Sequence, residues 1–254
     1  MTMLSICIPA YEMNGVGSKY LRESLSWLTR QKAKNFEVVV SDQARDNSIS
    51  PVCAQFADSL TMRYVRGDEV ARNASANVNN AIRHSRGDIV KILFQDDLLI
   101  DENAIDKIQS AFRSDTGSWL ISGCMHTADG VVFKRRFEPR YHSAIYLGRN
   151  TISSPSVLAL RKERIRFFDE SLIWLMDVDY YKQCYDAFGD PLIINDPLIA
   201  NRLHAAQVTN GVRKNVMLDE VRRVRAKYRS TESWALKICY WRELIRLMST
   251  PEGD

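Results

Sequence analysis

Short, almost unbroken apolar runs recur along the first half of the chain, each followed by a segment of helical periodicity. Leu4 to Ile8 is the first run, stopped by Pro9, and Phe36 to Val40 and Ile89 to Phe94 repeat the pattern. Runs of this length without polar alternation are what a strand buried on both faces requires. Between them, Tyr20 to Leu28 places Leu21, Leu25 and Leu28 at helical spacing. Pro51 to Leu60 and Ala74 to His84 also read as helices, and Met62 to Val65 as a short strand. Ala104 to Phe112 continues as helix and Trp119 to Ser122 as strand. Strand and helix alternating at this interval predict an α/β fold, with a mainly parallel central sheet and helices on both faces.

In such a sheet all the parallel strands end at one edge, where ligands bind. Polar residues cluster there: Tyr11-Glu12 after the first strand, Asp42 after the second and Asp96-Asp97 after the run ending at Phe94. Any one of these could be a turn residue, since Asp and Asn suit turns. Three on one edge point to a site. At Asp96-Asp97 two carboxylates stand side by side, and their repulsion needs a compensating cation or hydrogen-bond donors. A hard divalent cation shared with a phosphate-bearing ligand would serve, and so would an Asx turn or helix cap before Ala104.

Composition narrows the function classes. A net charge of +4 and a pI near 8.8 suit phosphate-bearing substrates or an anionic surface and are too small for a nucleic-acid binder. The five cysteines, at 7, 53, 124, 184 and 239, form no CxxC pair, so a reduced, cytoplasmic setting is expected. The start lacks a signal-peptide pattern, and no apolar run approaches the ~20 residues of a membrane span.

Further on, Thr127 to Arg149 is irregular, with a hairpin turn expected at Asp129-Gly130. Asp177 to Phe188 returns to helix, and Pro191 to Ile194 and Leu198 to Leu203 read as two late strands. The tail carries two amphipathic helices. Met217, Val221, Val224 and Tyr228 stripe the first, which holds seven basic residues between Arg213 and Arg229. Trp234, Ile238, Trp241, Ile245 and Met248 stripe the second. Both stripes are expected to pack on the domain or on each other, the second helix above all. The basic first helix is the candidate for a membrane surface or an acidic partner. The expected division is residues 1–212 as the catalytic domain, with halves 1–98 and 99–212, and residues 213–254 as the C-terminal helical pair.

Four segments in order, Leu4-Ser-Ile-Cys-Ile-Pro-Ala-Tyr11, Phe36-Glu-Val-Val-Val-Ser-Asp42, Asn73-Ala-Ser-Ala-Asn-Val-Asn79 and Gly87-Asp-Ile-Val-Lys-Ile-Leu-Phe-Gln-Asp-Asp97, resemble glycosyltransferase family 2, with the GT-A fold. Trp174-Leu-Met-Asp-Val-Asp-Tyr-Tyr181 looks like the family's base motif, and Arg202-Leu-His204 with Gln207-Val-Thr209 looks like its closing active-site segment. The resemblance runs from about residue 4 to about residue 205. It implies that Pro9, Ala10 and Tyr11 form the loop under a nucleotide, and that Asp42 accepts from a pyrimidine ring N–H. Asn73, Ser75, Asn77 and Asn79 would lie near base and ribose, Asp96 at the ribose, and Asp97 on Mn²⁺ or Mg²⁺. Asp177 would be the general base. Phe94, Ser41-Asp42-Gln43-Ala44 and Met176 depart from the family's usual residues.

On a helix Asp177 and Asp179 point ~200° apart, so only one of them can face the site; the motif register selects Asp177. His204 reads as structural, or as a further metal ligand or diphosphate donor, a duty Arg202 could share. The implied activity is inverting transfer from a nucleotide sugar, UDP-sugar favoured, to a saccharide or lipid-linked acceptor, with peripheral membrane contact through residues 213–248 as a further expectation. A sugar nucleotidyltransferase is the alternative enzyme, although Asn14-Gly-Val-Gly17 is a thin match to its phosphate loop. A degenerate binding subunit is the non-enzymatic alternative.

Overall fold

The computed structural model describes residues 3–249 except residue 69. Nine strands form one mixed, mainly parallel sheet among the described residues. They are β1 (Leu4–Ala10), β2 (Phe36–Asp42), β3 (Met62–Arg66), β4 (Ile89–Ile92), β5 (Leu98–Leu99), β6 (Trp119–Thr127), β7 (Lys134–Phe137), β8 (Leu158–Arg161) and β9 (Leu192–Arg202). The order across the sheet is β3-β2-β1-β4-β8-β6-β9-β5, with β7 paired to β6. β1, β2, β3 and β4 run parallel, with Leu4 opposite both Phe36 and Ile89. β8 is antiparallel to β4 and to β6, and β6 is parallel to β9. The C-terminal ends of β1, β2, β4 and β9 therefore share one edge.

Every residue of β1, β2 and β4 is buried, as the unbroken apolar runs require of strands covered on both faces. The covering helices are α1 (Gly17–Thr29), α2 (Ser50–Gln55), α3 (Ala74–His84), α4 (Ala104–Ser114) and α5 (Met176–Phe188), followed by the tail helices α6 (Lys214–Tyr228) and α7 (Trp234–Ser249). Leu21, Leu25 and Leu28 form the inner face of α1. Asn73 caps α3, its side chain accepting from Ala76 N at 2.8 Å. No helix among the described residues is long and apolar enough to cross a membrane.

Several boundaries differ from the sequence reading. The strand expected to reach Phe94 stops at Ile92, because Phe94 N turns to Ser156 Oγ instead of continuing a ladder. The helix expected over Pro51 to Leu60 ends at Gln55. The two late strands are one, β9, whose register against β6 shifts on both sides of Gly123 to absorb Asn195, Asp196 and Leu198. There is room for that shift only without a side chain, since a Cβ at Gly123 would meet Asn195 O at 2.4 Å. β5 and β8 were not foreseen. The turn at Asp129-Gly130 links β6 to β7, with Gly130 at φ 78°.

Both tail helices join the main core, α6 through Val221 and Val224 and α7 through Tyr240, Leu244 and Leu247. The expected packing of the Trp234 stripe is corrected: Trp234 is 80%, Trp241 59% and Ile245 63% exposed. The face one step round the helix packs instead: Tyr240, Leu244 and Leu247 are buried there, and Arg225 of α6 lies over the Tyr240 ring at 3.8 Å.

Candidate active site

Ala10, Asp42, Leu93 and Arg202 end or follow the parallel strands at the common edge, and a cleft of about 540 Å³ opens there. That volume is in the range of small-molecule sites. Its floor is a loop fixed by an amide clamp. Gln95 Oε1 accepts from Tyr11 N at 2.7 Å, and Gln95 Nε2 donates to Tyr11 O at 2.9 Å. Gly17 lets α1 begin against this clamp, since a Cβ there would lie 2.0 Å from Tyr11 O. Pro9 and Tyr11 line the cleft. Ala10 does not, and supplies its carbonyl to Gln43 N and Asn77 Nδ2 instead.

Asp97 is 4% exposed. Its Oδ1 accepts from Arg202 N at 2.9 Å and its Oδ2 from Ser154 Oγ at 3.1 Å. Burial, then the neighbouring Asp96 charge, push its pKa up to about 7. Asp96 Oδ2 meets His204 Nε2 at 2.9 Å. His204 is thus turned onto Asp96 in this structure, and no group of three metal-ligating side chains forms among the described residues. His204, expected as a metal ligand, thus stands beside the acidic pair, bonded to Asp96. Arg202 is buried behind the acids, its guanidinium paired with Glu23 and lying over Tyr20. A second cation, Lys91 on β4, is also buried, donating to the carbonyls of Ile92, Ser156 and Leu158. Burial lowers its pKa to about 7 against the pull of Asp97.

At the opposite wall, Asp177 stands in the first turn of α5 and lines the cleft. Asn150 Nδ2 donates to its Oδ2 at 2.6 Å, and Val178 N to its Oδ1 at 2.7 Å. By surface area the residue is only half-buried, yet desolvation by the surrounding protein dominates and raises its pKa to about 7. Asp179 faces away, fully buried, and binds Tyr228 Oη at 2.9 Å and Gln183 Nε2 at 2.8 Å. From α6, the buried Glu220 accepts from the N–H groups of Ile173, Trp174 and Leu175 at 2.8, 2.9 and 2.8 Å.

The remaining expected residues divide. Asn73 and Asn77 line the cleft. Asn79 does not: its amide pairs in both directions with the backbone of Phe168 and so holds the loop before α5. Ser75 donates to Leu172 O in the same loop. Asp42 is fully buried behind the wall, taken up by Arg66 Nη1 at 2.9 Å, Tyr64 Oη at 2.7 Å and Ala44 N at 2.7 Å. Gln43, Arg45 and Arg72 reach the cleft at that end. Asp42, expected to meet a base, is thus held by three donors and does not line the cleft. Of the closing segment, Gln207 and Val208 line the cleft, while the Thr209 side chain lies outside what the structure describes. Gln95, Ser154, Asn201 and Glu220 were missed. Gln95 adjoins the acidic pair and could have been suspected, whereas nothing local marks the others.

The profile of the family described as "Glycosyl transferase family 2" matches residues 5–181. The chain belongs to glycosyl transferase family 2. Its fold is GT-A-like: a crystal structure of S. aureus TarS superposes with a TM-score of 0.67 at 16% identity, over 89% of this chain and 39% of that one. TarS 1-349 in complex with UDP-GlcNAc gives 0.69 at 15% identity, over 88% and 66%. The mannosyltransferase PcManGT from Pyrobaculum calidifontis, in complex with GDP-Man and Mn²⁺, gives 0.61 at 17% identity, over 98% and 70%. This family 2 chain thus spans about two-fifths of the length of that TarS chain. A search of curated sequences returns no match. The family profile ends at residue 181, so the Glu220 contact lies beyond the segment it matches.

Proposed function

We propose that the chain is an inverting glycosyltransferase that moves a sugar from a nucleoside diphosphate sugar to a hydroxyl of a saccharide or lipid-linked acceptor. One observation carries the reading: Asp177 and the Asp96-Asp97 pair open onto a single cleft at the C-terminal edge of the sheet. In this reaction the acceptor oxygen bonds to the anomeric carbon as the bond to the diphosphate breaks, and Asp177 takes the hydroxyl proton. A carboxyl group with a pKa near 7 suits that task, since a general base works best near the operating pH.

The donor set fits a divalent cation. Two adjacent carboxylates give hard oxygen ligands, and their repulsion, which helps hold Asp97 near pKa 7, is relieved by a cation. Asp97 and Asp96 would hold Mn²⁺ or Mg²⁺, with His204 orienting Asp96, and the ion would stabilise the departing diphosphate. Pro9, Tyr11 and Asn73 would lie under the nucleotide. Gln43, Arg45, Arg72 and Asn77 replace Asp42 as the candidates for reading the base, so UDP-sugars and GDP-sugars are both donors to test. The cleft is also partly apolar, lined by Trp174 and by Ile173 and Val208, 44% and 45% exposed, which suits an acceptor with an apolar portion.

The test is release of nucleoside diphosphate from a panel of UDP- and GDP-sugars with Mn²⁺, with and without saccharide acceptors. Acceptor-stimulated release that Asp177→Asn removes supports the reading. The absence of any nucleotide binding by calorimetry overturns it.

A further inference from the structure

The outer face of α7 is an unpartnered apolar stripe. Trp234, Ile238, Trp241, Ile245 and Met248 recur at spacings of four and three and are 80%, 50%, 59%, 63% and 60% exposed. This is a large contiguous apolar face for a water-exposed helix, and such faces mark interaction sites. The helix is not loosely held. Tyr240, Leu244 and Leu247 anchor its other side in the core. The stripe is therefore presented by a fixed helix.

Charge selects the occupant. Lys237 and Arg242 flank the stripe on its two sides, and Arg246 lies just beyond Arg242. The one acid of α7, Glu243, is on the opposite side, its side chain 13% exposed and paired with Arg246. If two copies of the chain met along this 4-3 seam, Lys237 and Arg242 would occupy the flanking positions on both helices, and like charges would oppose each other. An anionic surface meets no such penalty. Tryptophan rings along the stripe, with basic stems reaching up at its borders, match the layering of a helix lying in a lipid interface.

We propose that this face of α7 docks on an anionic lipid bilayer, with Trp234 and Trp241 inserted at headgroup depth and Lys237 and Arg242 contacting lipid phosphates. The helix lies parallel to the surface and does not cross it. The assignment narrows the contact expected over residues 213–248 to the outer face of α7. It is independent of the transfer reaction, because none of its residues lines the cleft.

The experiment is co-sedimentation of the full chain with vesicles of phosphatidylcholine alone and with one-third phosphatidylglycerol, at low and high salt, together with tryptophan fluorescence. Binding to the anionic vesicles with a blue shift, falling at least tenfold on neutral vesicles or at 1 M salt, is expected, because surface attraction is screened beyond ~3 Å at that ionic strength. Trp234→Ser with Trp241→Ser, and separately Lys237→Glu with Arg242→Glu, should each lower binding at least tenfold while leaving the thermal melt unchanged, as these side chains are exposed. Binding that both double variants retain overturns the assignment, as does failure of the parent chain to bind anionic vesicles. A concentration-dependent dimer in sedimentation velocity that Trp234→Ser with Trp241→Ser abolishes would give the stripe to a second copy, and so also overturns it.

Discussion

Glu220 and Asp177 lie on different helices, yet the first builds the platform for the second. The Glu220 carboxylate takes the N–H groups of residues 173, 174 and 175, the stretch that leads directly into α5 and Asp177. Leu175 is the N-cap of α5, and Ile173 and Trp174 are the two residues before it, so the carboxylate fixes the entry into the helix. An acid there also favours the helix dipole. The tail thus supplies part of the scaffold of the cleft.

Removing that carboxylate leaves three donors without their acceptor. Glu220→Ala is expected to destabilise the fold by about 2–5 kcal/mol, the range for stranding buried polar groups. Glu220→Gln should lose less, since an amide oxygen still accepts. Urea melts of the three proteins check this; an Ala variant within 0.5 kcal/mol of the parent, by a margin of about the usual surface effect, would contradict the scaffold role.

Asp177→Asn should leave nucleotide affinity intact and lower turnover by roughly 10²–10⁴-fold, the scale of a general base. In the parent chain, kcat/KM should rise with pH through about 7 as this carboxyl ionises. The stability sign runs the other way. The folded state holds this proton up to about pH 7 and the unfolded state only to about 3.8, so stability declines as pH rises between them. Asp177→Asn should therefore gain stability relative to the parent on going from pH 4 to pH 8, measured as the difference in melting temperature. A constant difference across that range would remove the burial argument.

Nucleoside diphosphate binding should depend on Mn²⁺ or Mg²⁺. Without a cation the two carboxylates repel the diphosphate. Calorimetry with UDP and GDP should show affinity falling steeply in chelator and in Asp97→Asn. Equal affinity with and without the ion would refute the metal assignment.

Asp42→Asn tests whether this residue reads the base. The buried carboxylate pairs with Arg66 and Tyr64, so its replacement should lower stability without altering the ratio of UDP to GDP affinity. A change of tenfold or more in that ratio would put Asp42 at the base after all.

Gly17→Ala should disturb the Tyr11–Gln95 clamp, because the new methyl has no space beside Tyr11 O. A loss of about 1–3 kcal/mol is the usual scale of overpacking. Nucleotide binding should weaken with it, and a variant that melts and binds like the parent would show that the loop can shift freely.

Periodicity and short polar motifs were enough to place β1, β2, α3 and the acidic edge, because a doubly covered strand is apolar along most of its length and parallel strands end at one edge. Asp96-Asp97 and Asp177 were legible for the same reason: each follows or opens an element whose end is marked locally. Tertiary structure decided the rest. Whether Asp42 or Asn79 faces the cleft depends on partners 22 and 89 residues away, Tyr64 and Phe168. Two-residue β5 has no periodicity to read, and Glu220 acts across 45 residues on Leu175. In α7 the 4-3 spacing of Trp234 and its neighbours could not say which face packs, since Tyr240, Leu244 and Leu247 form a second apolar row; only contact with α6 and the core settles which row is buried.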